Sequence, residues 1–232
     1  AETVITWLEE NFPPSAYRLM LRARLHFLRK NCLDAIKVAE RALNFDGDFV
    51  TMMLIHNLLG QTYRFIGNPQ KAVAHYKRNA LIDLTELKDS PQLAQAEKIR
   101  REEYSNYLFN LHYLNVPREE IFKETCGFNK FFAQIPRCNH DRDRHSRHKK
   151  IRVGYISHDV RFHVVAFFST HLFTNYDKTR FEVFIYANNT ADGVTEQFAA
   201  IVDGFREILG KPAEEVAAQI VADEIDILVD LA

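Results

Sequence analysis

The chain has 232 residues, 47% apolar and 26% charged, the composition of a globular protein rather than a disordered or fibrous one, with room for one large or two modest domains. Its 8 Gly and 7 Pro are about half the roughly 12% usual for the pair, which excludes a loop-rich sandwich or barrel and predicts that helices dominate. The 30 basic and 31 acidic side chains leave no global field to draw in nucleic acid, an anionic membrane or an acidic substrate, so recognition by charge must be local.

A short helix is predicted around Val4 to Glu10, followed by a segment with internal self-similarity. Leu59, Gly60, Tyr63, Gly67, Ala72 and Tyr76 fall at the intervals of a tetratricopeptide repeat. Small residues at Gly60 and Ala72 let two antiparallel helices approach closely, and Tyr63 and Tyr76 fill the space beside them. Gly67-Asn68-Pro69 supplies the turn and a proline for the first turn of the next helix. An earlier copy places Ala35 against Ala72, 37 residues apart, and keeps small residues at Ala23, Ala39 and Ala42. There His26 stands for Tyr63 and Lys30 for the turn glycine, while in the second copy Asn79 takes a small position and Ala80 follows it. Residues 1–88 are therefore expected to be tetratricopeptide repeats, the plainer reading being a helical hairpin bundle; His26, His56 and His75 lie inside them as structural histidines.

Ser90-Pro91 reads as the start of a long helix carrying Leu93, Ile99, Tyr107, Leu108 and Leu111, and Pro117 as the start of another with Ile121, Phe122, Phe128 and Phe132. Residues 89–136 are expected to be a helical cap and connector. From Arg137 to Arg152 the chain becomes basic and loses large apolar residues, so 137–150 is expected to be a solvated linker. Cys138, His140, His145 and His148 within it match no standard zinc spacing, and the stretch lacks the aromatics with which nucleic-acid binders stack bases.

Residues 151–232 alternate. Strands are predicted at Ile151–Ile156, Phe181–Tyr186, Phe205–Ile208 and Ile225–Val229, with helices at Val164–Phe173, Val194–Ile201 and after Lys211-Pro212. Strand and helix alternation requires crossovers, hence a parallel sheet with helices on both faces. Four strands are about half of a doubly wound domain. The loop after the first strand, Ser157 to His163, holds two imidazoles, a carboxylate and a guanidinium where such sheets meet ligands. In the plainer reading, Asp159 caps the next helix and the histidines are solvated. No G-x-G-x-x-G fingerprint surrounds Gly154.

Together, the repeats, the stretch Tyr104-Ser105-Asn106-Tyr107-Leu108-Phe109-Asn110-Leu111-His112-Tyr113, the run from Ile151 to His163, the strand Phe181–Tyr186 and the closing Ile225–Ala232 resemble the protein O-GlcNAc transferase family, which includes the SPINDLY-like proteins and bacterial relatives. The resemblance implies tetratricopeptide repeats followed by part of the first of two Rossmann-like catalytic lobes. It implies transfer of a sugar from a nucleotide-sugar donor such as UDP-GlcNAc to Ser or Thr of acceptor proteins that the repeats recognise. No cofactor or metal is expected, nor a nucleic-acid or membrane partner, and homo-oligomers are left open. By the same resemblance His163 faces sugar and acceptor and serves as general base, Asp223 is a second polar catalytic residue, and His158, Asp159 and Arg161 form the acceptor-side loop, with Asp159 bracing it. In the family, a second lobe absent from this sequence binds uridine diphosphate, so this stretch alone is expected to lack transferase activity. The alternative function is a tetratricopeptide interaction module whose α/β half is a scaffold.

Cys32, Cys126 and Cys138 are an odd set without a C-x-x-C pair, which predicts reduced thiols and a cytoplasmic protein. No run approaches the roughly 20 apolar residues of a membrane span. The first residue is Ala1 rather than Met, and the last six read as a strand with nothing after it, so the sequence is expected to be a piece of a longer protein; by itself this stretch is expected to behave poorly in solution, because the sheet edge at Ile225 to Ala232 is an association liability unless covered.

Overall fold

The computed structural model describes residues 2–135 and 148–231, which fall into two units, residues 1–135 and 136–232. In the first unit the helices are α1 (Glu2–Asn11), α2 (Ala16–Leu28), α3 (Cys32–Ala42), α4 (Phe49–Phe65), α5 (Pro69–Ala80), α6 (Leu93–Leu111) and α7 (Arg118–Gly127), with 3₁₀ turns at Thr85–Leu87 and Phe128–Phe131. Short polar side chains set the starts of three of them. Ser15 Oγ accepts from Arg18 N at 3.4 Å, Asp48 Oδ1 from Thr51 N at 3.0 Å and Asn68 Oδ1 from Lys71 N at 3.1 Å. The helix expected at Pro91 begins at Leu93 instead, because Ser90 Oγ accepts from Gln92 N at 3.2 Å and holds a turn there.

The two hairpins α2–α3 and α4–α5 close alike. Asn31 N donates to His26 O and Asn68 N to Tyr63 O, each at 2.9 Å, the paired bonds of a helix end that turns left-handed. Lys30 at φ +63° and Gly67 at φ +76° occupy equivalent places. The alanine positions Ala23, Ala35, Ala39, Ala42, Ala72 and Ala80 are all buried. Gly60 lies so close under the Tyr76 ring that a Cβ there would stand 2.5 Å from it, so the ring of Tyr76 on α5 packs directly against the backbone of α4. Helix α6 shares the core: Tyr104, Tyr107 and Leu111 join the cluster of Leu59, Ala72 and Tyr76, and Ala96 and Ile99 pack with Val50 and Met53 of α4.

A polar seam runs through this packing. Glu103 of α6 is fully buried and accepts from Asn57 Nδ2 at 2.7 Å, Asn106 Nδ2 at 3.1 Å and Asn79 Nδ2 at 3.4 Å. Burial pushes its carboxyl up, and the three amides oppose the shift. Asn79, the residue that breaks the small-residue pattern, also donates to Met53 O at 2.8 Å, which ties α5 to both α4 and α6.

The second unit contains β1 (Ile151–Ser157), α8 (Val164–Thr174), β2 (Phe181–Ala187), α9 (Gly193–Ile201), β3 (Gly204–Glu207), α10 (Ala213–Ala222) and β4 (Ile227–Asp230). All three strand pairings are parallel and the order is β3-β2-β1-β4. Alternation along β2 serves both faces. Val183, Ile185 and Ala187 pack with Ala166 and Phe173 of α8 and Phe198 of α9, while Phe184 and Tyr186 pack with Val216 of α10. Gly204, registered opposite Phe184, has no Cβ because one would lie 2.3 Å from that ring. The chain is thus α in its first unit and α/β in its second: helical repeats, then a four-stranded Rossmann-like parallel layer. Residues 137–147 of the expected basic linker lie outside the described residues. No helix among the described residues is long and apolar enough to cross a membrane.

Candidate functional site

Strand order places β1 between β2 and β4, so the chain reverses its winding direction at β1. Ligands of open parallel sheets meet such a reversal at the carboxyl ends of the strands. The loop that leaves β1 there is Ser157 to His163. Ser157 Oγ accepts from Asp159 N at 3.0 Å and turns the Asp159 carboxylate inward, where it is largely buried. Three cationic or potentially cationic groups surround it, each at 3.3 Å: His158 Nε2 and His163 Nδ1 on Oδ2, and Arg161 Nη2 on Oδ1. Asp159 is the hub of the loop. It does not cap the following helix.

That cap is His163 itself, extended at φ −148°, ψ 156°, with Nδ1 accepting from Val165 N at 3.3 Å. One ring nitrogen therefore faces both a carboxylate and a backbone N–H. The side chain is 38% exposed, open enough to meet a substrate. Beside it lies an apolar groove of about 720 Å³, whose walls include Arg161, Phe162, Val164, Phe167 and Phe198. Phe162 is 89% exposed, so no apolar packing fixes the residue that precedes His163.

Backbone anchors hold the loop instead. Val160 is buried, and its carbonyl accepts from Thr195 Oγ1 at 2.6 Å and Asn189 Nδ2 at 3.1 Å. Asp192 caps α9 by accepting from Val194 N and Thr195 N, each at 3.0 Å, and Thr195 Oγ1 accepts from Asp192 N at 3.1 Å. The other Asp192 oxygen accepts from Phe162 N at 2.7 Å. The Phe162 N–H, then the Thr195 N–H, hold this carboxyl below its usual range. Asn189, Asp192 and Thr195 were not among the residues singled out from the sequence. Their signal there is Asp192-x-x-Thr195, a short polar pair spaced as a capping box ahead of Val194.

The structure places Asp223 elsewhere. It ends α10 on the other face of the sheet, where its carboxylate accepts from Arg206 Nη2 at 2.7 Å, Arg206 Nε at 3.1 Å and Tyr186 Oη at 2.8 Å. Burial pushes the Asp223 carboxyl up, but the Arg206 and Tyr186 bonds outweigh it and leave it lowered. Arg152 Nη1 donates to Asp223 O at 3.0 Å and its Nε to Glu182 Oε2 at 2.9 Å, at the first residues of β1 and β2. His158, Asp159, Arg161 and His163 are brought together; Asp223 is not brought to them. Of the possible zinc ligands in the basic stretch, Cys138, His140 and His145 lie outside the described residues. No group of three or more His, Cys, Asp or Glu among the described residues is arranged to hold a metal ion.

No family model matches the sequence, and no curated protein matches it. Among solved structures, a mutant of the O-GlcNAc transferase of Thermobaculum terrenum is similar at 21% identity and a TM-score of 0.47, over 92% of this chain and 45% of that one. The chain thus spans less than half the length of that protein.

Proposed function

We propose that the chain contributes the acceptor side of a glycosyltransferase cleft, with His163 as the group that takes the proton from an acceptor hydroxyl. The observation that carries this reading is His163 Nδ1 beside the buried carboxylate of Asp159, at the carboxyl end of the strand where the winding reverses. The motif resemblance from Ile151 to His163 supports the reaction class. With Nδ1–H donated to Asp159, the Nε2 lone pair is free to accept a proton. As the hydroxyl oxygen of a Ser or Thr attacks the anomeric carbon, its proton passes to Nε2 and the bond to the nucleotide oxygen breaks. That oxygen leaves with the electron pair as a nucleoside diphosphate.

In this reading Asp159 holds the imidazole in the useful tautomer and stabilises the imidazolium that forms, and Arg161 and His158 hold the Asp159 carboxylate in place. The exposed aromatic groove receives the acceptor segment around its hydroxyl. The helical repeats of the first unit bind acceptor proteins, and the nucleotide-sugar donor, UDP-GlcNAc by the resemblance, is held mainly by residues outside this sequence. The test is transfer of labelled sugar to an acceptor protein by the natural full-length protein and its His163→Ala variant. The expected loss is on the order of 10²–10⁴ in kcat, the usual contribution of a general base, with acceptor binding retained. Unchanged transfer would exclude His163 from this role.

A further inference from the structure

We propose that Asp192 is a positioning residue for His163, setting through the Phe162 N–H which tautomer the imidazole adopts. The proposal rests on the reading of His163 as the proton acceptor. A capping aspartate needs only one oxygen for its helix, and Asp192 Oδ1 alone takes both Val194 N and Thr195 N. Oδ2 reaches back 30 residues to Phe162 N, at 2.7 Å the shortest of its backbone bonds. Nothing apolar competes for control of that residue, because the Phe162 side chain stands in solvent.

His163 follows directly, and its Nδ1 is 3.3 Å from both Asp159 Oδ2 and Val165 N. Both distances are at the long end for hydrogen bonds, and one atom cannot serve both partners. If Nδ1 carries the proton it donates to Asp159, and Nε2 is a free base. If Nδ1 is bare it accepts from Val165, and Nε2 carries the proton and can take no other. A displacement of a few tenths of an ångström decides between them. The Asp192–Phe162 bond holds the backbone from which the ring hangs, and the Val160 carbonyl, tied to Thr195 and Asn189, fixes the other side of the same turn. The start of α9 therefore governs the protonation geometry of the residue that caps α8.

Asp192→Asn isolates this link. The amide oxygen keeps the cap on α9, whereas the amide nitrogen donates and cannot accept from Phe162 N. The measurement is the pair of imidazole ¹⁵N shifts of His163 and their pH titration by NMR in histidine-labelled protein, assigned by their loss in His163→Gln. The expected result is a redistribution between the Nδ1–H and Nε2–H forms, with amide protection at Val194 and Thr195 unchanged. If the Asn variant loses that protection, Asp192→Ser, a cap residue with a single oxygen, replaces it in the same test. Shifts and titration identical to those of the unmodified protein would overturn the proposal. Transfer by the full-length variant is read alongside, with an expected fall of about tenfold or more in kcat at unchanged KM for donor. Altered shifts with unchanged transfer would uphold the positioning role and sink the assignment of His163 as base, so the two failures are distinct.

Discussion

Lys30 and Gly67 make the same turn with different residues, and the difference has a sign. At φ +63° a lysine carries the Cβ clash that a glycine escapes, roughly 1–2 kcal/mol, although glycine also adds freedom to the unfolded chain. Lys30→Gly is therefore expected to raise stability by about 0.5–1 kcal/mol and Gly67→Ala to lower it by about 1 kcal/mol, both read from denaturant midpoints. Equal midpoints for the lysine and glycine forms would mean that the turn relaxes when the helices are packed. The alignment of Lys30 with the turn glycine was legible in the sequence, because the flanking small residues fix the register. Asp223 was not legible in the same way. Its partners Tyr186 and Arg206 lie 37 and 17 residues away, and only the crossing of α10 over the sheet brings them together. Through those partners Asp223 fastens the end of α10 to β2 and β3.

At the scale of the helical hairpin, His56 of α4 and His75 of α5 face each other with Nδ1 atoms 2.9 Å apart, and His75 stacks on Tyr63 with ring centroids at 5.7 Å. One Nδ1 donates and the other accepts, so the pair cannot take a full complement of protons in this geometry. Burial, then Arg78 and His75, pushes His56 down to about 4. Burial also lowers His75, with Arg78 and Lys71 adding to the effect and Glu40 opposing it. Because the unfolded chain takes up protons first, stability is complete above the ordinary histidine value of about 6.5 and declines as pH falls from there toward 4. The loss is expected to be on the order of 1–3 kcal/mol. It is measured as the drop in thermal midpoint between pH 7.5 and 5.0, and His56→Gln should flatten it. An unaltered drop in the variant would assign the acid sensitivity to other groups. The helical periodicity announced that these histidines sit within repeats, but not that they touch, since contact depends on the rotation of α5 about its axis. The capping box of α9 escaped for a different reason: the apolar run from Val194 draws the eye to where the helix is buried, and the cap that steers the neighbouring loop stands just before it.

Across the whole molecule there are separate cores, helical clusters in residues 2–135 and two sheet faces in 148–231. Phe173 anchors one sheet face, edge-on to Tyr155 at 5.2 Å and to Phe198 at 4.9 Å. Phe173→Ala is expected to cost about 3–5 kcal/mol. Hydrogen exchange should show β1 and β2 amides losing protection while those of α4 keep theirs; equal loss in α4 would show the cores to be one cooperative system.

The same division sets an order of assembly. Three residues separate α2 from α3 and again α4 from α5, so the repeat hairpins close small loops and form early. The sheet cannot. Arg152 at the start of β1 meets Glu182 of β2 after 30 residues and Asp226 beside β4 after 74, and each crossover must be complete before its strand can dock. As the chain leaves the ribosome, β1 therefore waits with one edge unsatisfied long after its other edge is filled. During that interval misassociation competes with folding.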